Sequence, residues 1–134
     1  MLKKALQIAA KAHKMQRDKN GQPYINHPIA VSYMVSSEDA KVVALLHDVI
    51  EDTPMKLSDL ESDFPTHIVS AVDAMSRRPG EQYWDYIRRV SQDPIAVEVK
   101  LADLKHNLDP SRRYKGDKGL RKRYEKSLEI LKEK

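Results

Sequence analysis

The sequence predicts an all-α fold, a single domain of seven or eight helices, on three observations. Apolar residues recur at intervals of three and four along most of the chain. The seven prolines, Pro23, Pro28, Pro54, Pro65, Pro79, Pro94 and Pro110, fall between these periodic stretches or in their first turns, where a missing N–H costs little. Only Ile95, Val97, Val99 and Leu101 alternate as a strand would, and Asp93-Pro94 before them reads as a helix start that Leu104 and Leu108 continue at helical spacing.

The elements follow in order. Leu2, Ala5, Leu6, Ala9, Ala10 and Ala12 outline a first helix over about 2–19, ended by the turn Asn20-Gly21-Gln22-Pro23. A second spans about 28–36. A third covers about 38–51, where Val42, Val43, Leu45, Leu46, Val49 and Ile50 occupy so much of the circumference that burial on several sides is expected. Ser58 and Glu61 have the spacing of a capping box for a short helix ending near Phe64. Thr66 is expected to cap the next, which carries Ile68, Val69, Val72 and Met75 and stops at Pro79-Gly80. A sixth spans about 81–91, and a seventh, capped by Asp93, about 94–108. Leu120, Tyr124, Leu128 and Leu131 stripe a last helix over about 117–132.

At 134 residues the chain has the size of one domain, expected over 1–134. It has no cysteine, which excludes disulfide scaffolds, thiolate metal sites and cysteine nucleophiles. No run approaches the roughly 18 apolar residues of a membrane span, and the N-terminus is too amphipathic for a secretory signal, so the cytoplasm is the expected compartment. Residues 110–134 hold 10 Lys and Arg against 4 Asp and Glu, whereas the net charge of the whole chain is +4. This basic tail fits a solvated helix face or contact with a phosphate-rich ligand. Nucleic acid is not an expected partner at 6% aromatic content.

Chemistry concentrates in Ala44-Leu45-Leu46-His47-Asp48-Val49-Ile50-Glu51-Asp52-Thr53, where four ionisable groups close an otherwise apolar helix. Burying a carboxylate and an imidazole there is costly without a partner, and a divalent metal is one such partner; acids exposed at a helix end are the other reading. Glu51 lies four residues after His47 and Asp52 four after Asp48, which puts each pair on one side of a helix. Elsewhere, His27 stands directly before a first-turn proline, and by itself fits a cap or a surface residue as well as a ligand. Asp103 is adjacent to core residues, with Asn107 one turn later on the same face. Together His27, His47, Asp48 and Asp103 offer two imidazoles and two carboxylates, a set suited to Mn²⁺, Fe²⁺ or Zn²⁺.

The order His, His-Asp, Asp on an all-α chain resembles the HD-domain metal-dependent phosphohydrolases. Four longer blocks resemble the RelA/SpoT hydrolase domain and the stand-alone small alarmone hydrolases: Ala12-His13-Lys14-Met15-Gln16, Gly21-Gln22-Pro23-Tyr24-Ile25-Asn26-His27-Pro28, Leu45 to Thr53, and Lys100 to Asn107. The resemblance implies an HD-type helical bundle with Mn²⁺ held by His27, His47, Asp48 and Asp103. It implies that Glu51 and Asp52 position or activate water, and that Asn107 and Tyr124 contact the nucleotide sugar. The implied reaction removes the 3′-pyrophosphate of ppGpp or pppGpp; another nucleotide phosphate, or binding with little turnover, are the alternatives. Tyr24 and Lys100 are further expected substrate contacts. The family's usual arginine two positions after Gln16 is here Asp18, which is expected to face outward while Arg17 or Lys19 approaches the phosphates. The segment Ser76-Arg77-Arg78-Pro79-Gly80-Glu81 also departs from the common pattern, and Arg77 and Arg78 are further candidates for phosphate contact. His13 is expected to pack beside the site, and His67 and His106 to face solvent.

Overall fold

The computed structural model of the chain describes residues 1–110 and 118–133. Among them the fold is all-α: α1 (Leu2–Ala12), α2 (Asn26–Met34), α3 (Glu38–Leu46), α4 (Val49–Asp52), α5 (Leu57–Leu60), α6 (Thr66–Met75), α7 (Tyr83–Ser91), α8 (Pro94–Leu108) and α9 (Lys118–Lys132). The helix α3 is the axle. Ala40 and the run Val42–Leu46 are buried around its whole circumference, and α1, α2, α6 and α8 pack against it. Fully burying a Val or Leu side chain contributes roughly 1.5–3 kcal/mol, so this one helix supplies much of the core. Ser37 starts it by accepting a hydrogen bond from the Ala40 amide at 3.1 Å.

The helix α8 runs as its start signal predicts. Asp93 Oδ1 accepts from the amides of Ile95 and Ala96, each at 3.0 Å, and Pro94 occupies the first turn. Against α8 and α7 lies α9. Leu131 is buried there, Ser127 hydrogen-bonds Tyr83, and Arg123 lies 4.1 Å from the centroid of the Tyr83 ring. One face of the basic helix is therefore structural. The expected start at Asp117 lies outside the described residues.

Several boundaries differ from expectation for local chemical reasons. The first helix ends at Ala12 rather than near 19, and beyond it Asp18 Oδ1 accepts from the Asn20 and Gln22 amides where the chain folds back through Gly21, at φ +80°. A side chain that bonds nearby amides offers the backbone an alternative to the helix. The third helix is two, parted at His47–Asp48, where the His47 ring bonds the Ala44 carbonyl of the preceding turn. Asp59, rather than Glu61, closes the start of α5 by accepting from the Lys56 amide at 2.9 Å. Thr66 makes no side-chain cap; α6 starts after Pro65. The second helix begins at Asn26, two residues early, which keeps Pro28 in its first turn.

Candidate metal centre and active site

The break between α3 and α4 is what creates a site. It leaves His47 and Asp48 at a corner of the core, facing the middle of α8 and the start of α2. His27, His47 and Asp103 are buried, and a ligand atom from each lies within 4.8 Å of the others. His27 Nε2 is 2.7 Å from Asp103 Oδ1, and His47 Nε2 is 3.3 Å from it. Asp48 joins from the side of His47, its Oδ2 3.0 Å from His47 Nε2 and 4.0 Å from His27 Nε2.

Each ring and carboxylate is oriented from behind. His47 Nδ1–H donates to the Ala44 carbonyl, which aims Nε2 inward. Although buried, Nε2 has no well-aligned hydrogen-bond partner. An orphaned imidazole nitrogen facing two carboxylates fits a shared cation better than a hydrogen-bond network, and the two-imidazole, two-carboxylate donor set suits a divalent metal. Asp103 also accepts from Lys100 Nζ at 3.0 Å and Asn107 Nδ2 at 3.4 Å. Tyr24 Oη donates to Asp48 Oδ2 at 2.7 Å.

Without a metal the charges hold one another. Burial works to pull the His47 imidazole down, but Asp48 and Asp103 outweigh it and hold its pKa well above the usual value. Burial likewise works to raise Asp103, but Lys100, His27 and His47 hold it well below the carboxylate range. A metal bound by His47 would take the place of its proton, so affinity would fall as pH is lowered.

The helix α4 carries two more carboxylates to the rim, where both reach solvent. Burial by the surrounding protein, then repulsion from Asp48, pushes Glu51 up to about 7. The same two causes raise Asp52. Gln16 Nε2 donates to the Asp52 carbonyl at 3.0 Å, and Gln16 Oε1 accepts from His13 Nδ1 at 2.8 Å. The end of α1 is thereby tied to the end of α4, and His13 is buried beside the site as expected.

The expected substrate contacts are placed unequally. Asn107 and Tyr124 stand half-buried by Asp103, close enough that its charge, after burial, raises the Tyr124 phenol. The Tyr24 hydroxyl is turned inward, onto Asp48. Lys100 is buried against Asp103 and lies 5.1 Å from the Tyr86 ring centroid. Arg17 is exposed, with Nη1 on the Gly21 carbonyl at 3.1 Å, and Lys19 is exposed on the same turn. Asp18 is half-buried, its carboxylate used to build that turn. His67 is exposed and pairs with Asp39 at 3.0 Å.

His106 is the residue that sequence reasoning missed. Its Nδ1 lies 2.7 Å from His27 Nδ1, and the two rings stack at 19°. With His27 Nε2 bound to a metal, His27 Nδ1–H would donate to His106, an outer partner of the kind that fixes a ligand's tautomer. No local signal marks it, because its partner is 79 positions away. Replacing His106 by Ala is expected to weaken metal binding about 10–100-fold, the range for such partners. Titration with a competing chelator checks this, and unchanged affinity would remove His106 from the site.

The HD domain family matches residues 5–126. The chain is 33% identical over 122 residues to the bifunctional (p)ppGpp synthase/hydrolase SpoT of Escherichia coli, covering 80% of this chain and 17% of that protein. It is 34% identical over 116 residues to the guanosine-3′,5′-bis(diphosphate) 3′-pyrophosphohydrolase of Haemophilus influenzae, covering 75% of this chain and again 17% of the relative. The chain thus spans about a sixth of these relatives. Among solved structures it superposes on a metazoan ortholog of SpoT, described as hydrolysing ppGpp, with a TM-score of 0.77 and 26% identity over 97% of this chain and 84% of the other. The chain belongs to the HD domain family and is related there to SpoT and its metazoan ortholog.

Proposed function

We propose that the chain is a metal-dependent phosphohydrolase, acting as one domain, that removes the 3′-pyrophosphate of ppGpp or pppGpp to give GDP or GTP and pyrophosphate. The observation that carries this is the buried convergence of His27, His47 and Asp103, joined by Asp48, with the Glu51 and Asp52 carboxylates on the adjoining rim. Likeness to proteins named or described as hydrolysing ppGpp supports the choice of substrate.

His27, His47, Asp48 and Asp103 would hold Mn²⁺. Bound there, the cation makes water more acidic and neutralises charge on the phosphoryl group. Glu51 takes the proton as the water oxygen bonds to the phosphorus attached to the 3′ oxygen, and Asp52 orients that water. The bond from phosphorus to the 3′ oxygen breaks, and the 3′ oxygen gains a proton. Tyr24 keeps Asp48 turned towards the centre, because burial and the Asp48 charge hold its phenol protonated. Asn107 and Tyr124 bind the sugar. Arg17 and Lys19, on the turn that Asp18 shapes, meet the phosphates; a phosphate clamp need not occupy position 18 itself.

A panel of nucleotides incubated with the Mn²⁺-loaded protein tests the reading. Equal amounts of GDP and pyrophosphate from ppGpp are expected. Turnover of another nucleotide with ppGpp untouched would move the substrate. Binding without turnover would make the chain a sensor, a reading that the Glu51 and Asp52 carboxylates disfavour because binding alone needs no water activator.

A further inference from the structure

The two oxygens of Asp103 have different partners. Oδ1 lies 2.7 Å from His27 Nε2 and 3.3 Å from His47 Nε2, and accepts from Asn107 Nδ2 at 3.4 Å. Oδ2 accepts from Lys100 Nζ at 3.0 Å, its one partner among the described residues. Lys100 stands three residues before Asp103 on α8, so the two side chains share a face of that helix. One oxygen is thus given to the candidate metal centre and the other to the ammonium.

The ammonium is enclosed. Only 9% of the Lys100 side chain is accessible, and Nζ lies 5.1 Å from the centroid of the Tyr86 ring. A cation over an aromatic face is attracted to it, more so when water is excluded. Tyr86 is itself fixed, buried on α7 with its hydroxyl donating to the Met75 carbonyl at 2.8 Å. Burial works against the Lys100 charge, but Asp103 outweighs it and keeps the amine protonated. Packing alone does not call for a charge here, since an apolar side chain of the same length would fill the space without one to compensate. A carboxylate can ligate a cation through one oxygen or through both. A catalytic metal site keeps a position open for water or substrate. Tying up one oxygen of a ligand is a way to keep it open.

We propose that Lys100 is a positioning residue for the metal centre: it holds Asp103 Oδ2, so that this carboxylate offers the cation Oδ1 alone, and it thereby weakens metal binding. This rests on the metal-site reading above and gives Lys100 a role that runs through Asp103 rather than through contact with substrate. The consequence is one of sign. A positive charge beside a cation site opposes binding, so Lys100 lowers affinity while it leaves a coordination position to water. A residue that merely supported Asp103 would raise affinity instead.

The test uses the full chain and reads metal binding first, without substrate. Lys100→Met keeps the length of the side chain and removes its charge. Mn²⁺ affinity is measured against a competing chelator at mildly alkaline pH, where protons compete least. It is expected to tighten about tenfold or more, the scale on which outer partners tune a metal site. The metal-free variant should melt below the parent, because Asp103 has lost its ammonium. Mn²⁺ should then raise its melting temperature by more than it raises the parent's, since tighter binding stabilises more. A crystal structure of the Mn²⁺-loaded variant should show both Asp103 oxygens on the metal, against one in the parent. On the nucleotide that the protein turns over, kcat should fall about tenfold with KM little changed. Lys100→Gln, also neutral, is the second variant if Lys100→Met does not fold, and should shift affinity in the same direction. Weaker or unchanged Mn²⁺ affinity in a folded variant overturns the proposal. So does a variant in which Asp103 still binds through one oxygen, and so does a raised KM at unchanged affinity, which would make Lys100 a substrate contact. A parental chain that binds no Mn²⁺ would overturn the metal-site reading and this proposal with it. Failure to turn over ppGpp would overturn the substrate reading alone, and the affinity measurement would still decide this one.

Discussion

Asp103→Asn is expected to empty the site of metal and abolish turnover. Asp103 lies against both imidazoles, at 2.7 Å from His27 and 3.3 Å from His47, and it also accepts from Lys100. The amide keeps the size but removes the charge on which metal binding and the buried Lys100 ammonium both depend. The loss of affinity should exceed the ~10–100-fold typical of outer partners such as His106. The variant should also be less stable, since removing one member of a buried pair leaves the other uncompensated, at a cost of about 3–5 kcal/mol. Metal content by elemental analysis, alongside thermal unfolding, checks both. Full metal occupancy in the variant would refute the assignment.

Glu51→Gln and Asp52→Asn are expected to retain metal and substrate but to slow turnover, by about 10²–10⁴-fold at Glu51, the usual worth of a positioned general base. Neither side chain bonds His27, His47 or Asp103, so metal content should stay at the parental level. The pH profile adds a sign. A base must be ionised to act, and Glu51 is pushed up to about 7 when no cation is bound. Activity should therefore fall as pH drops through the Glu51 pKa, which a bound cation moves below that value. Glu51→Gln should flatten this acid limb. Parental turnover in both variants would remove the two carboxylates from the chemistry.

Much of the fold is legible because local signals agree with it. Asp93-Pro94 caps α8 as read, and the all-round apolar run of α3 marks the helix that others surround. Where reading fails, side chains compete with the helix ladder. Asp18 bonds two amides of the turn that occupies the expected end of the first helix, and His47 parts α3 from α4 by bonding a carbonyl. The second failure matters to function, since the break turns His47 and Asp48 towards α8. Residue types and order name His27, His47, Asp48 and Asp103 as candidate ligands, and the structure brings the four to one place. The outer partners are not legible there. His106 meets His27 only through the packing of α2 on α8, and nothing local shows that the polar ends of Tyr24 and Lys100 turn inward to Asp48 and Asp103. Nothing local marks the ion pair of Arg89 with Glu81 either, since only the turn at Gly80 brings Glu81 back to Arg89.

The central claim is that one divalent metal sits between α2, the α3–α4 corner and α8. Anomalous diffraction from crystals grown with Mn²⁺ measures this most directly. A single strong peak within bonding distance of His27 Nε2, His47 Nε2 and carboxylate oxygens of Asp48 and Asp103 is predicted. A map with no peak there, or with manganese bound only elsewhere on the protein, would contradict it.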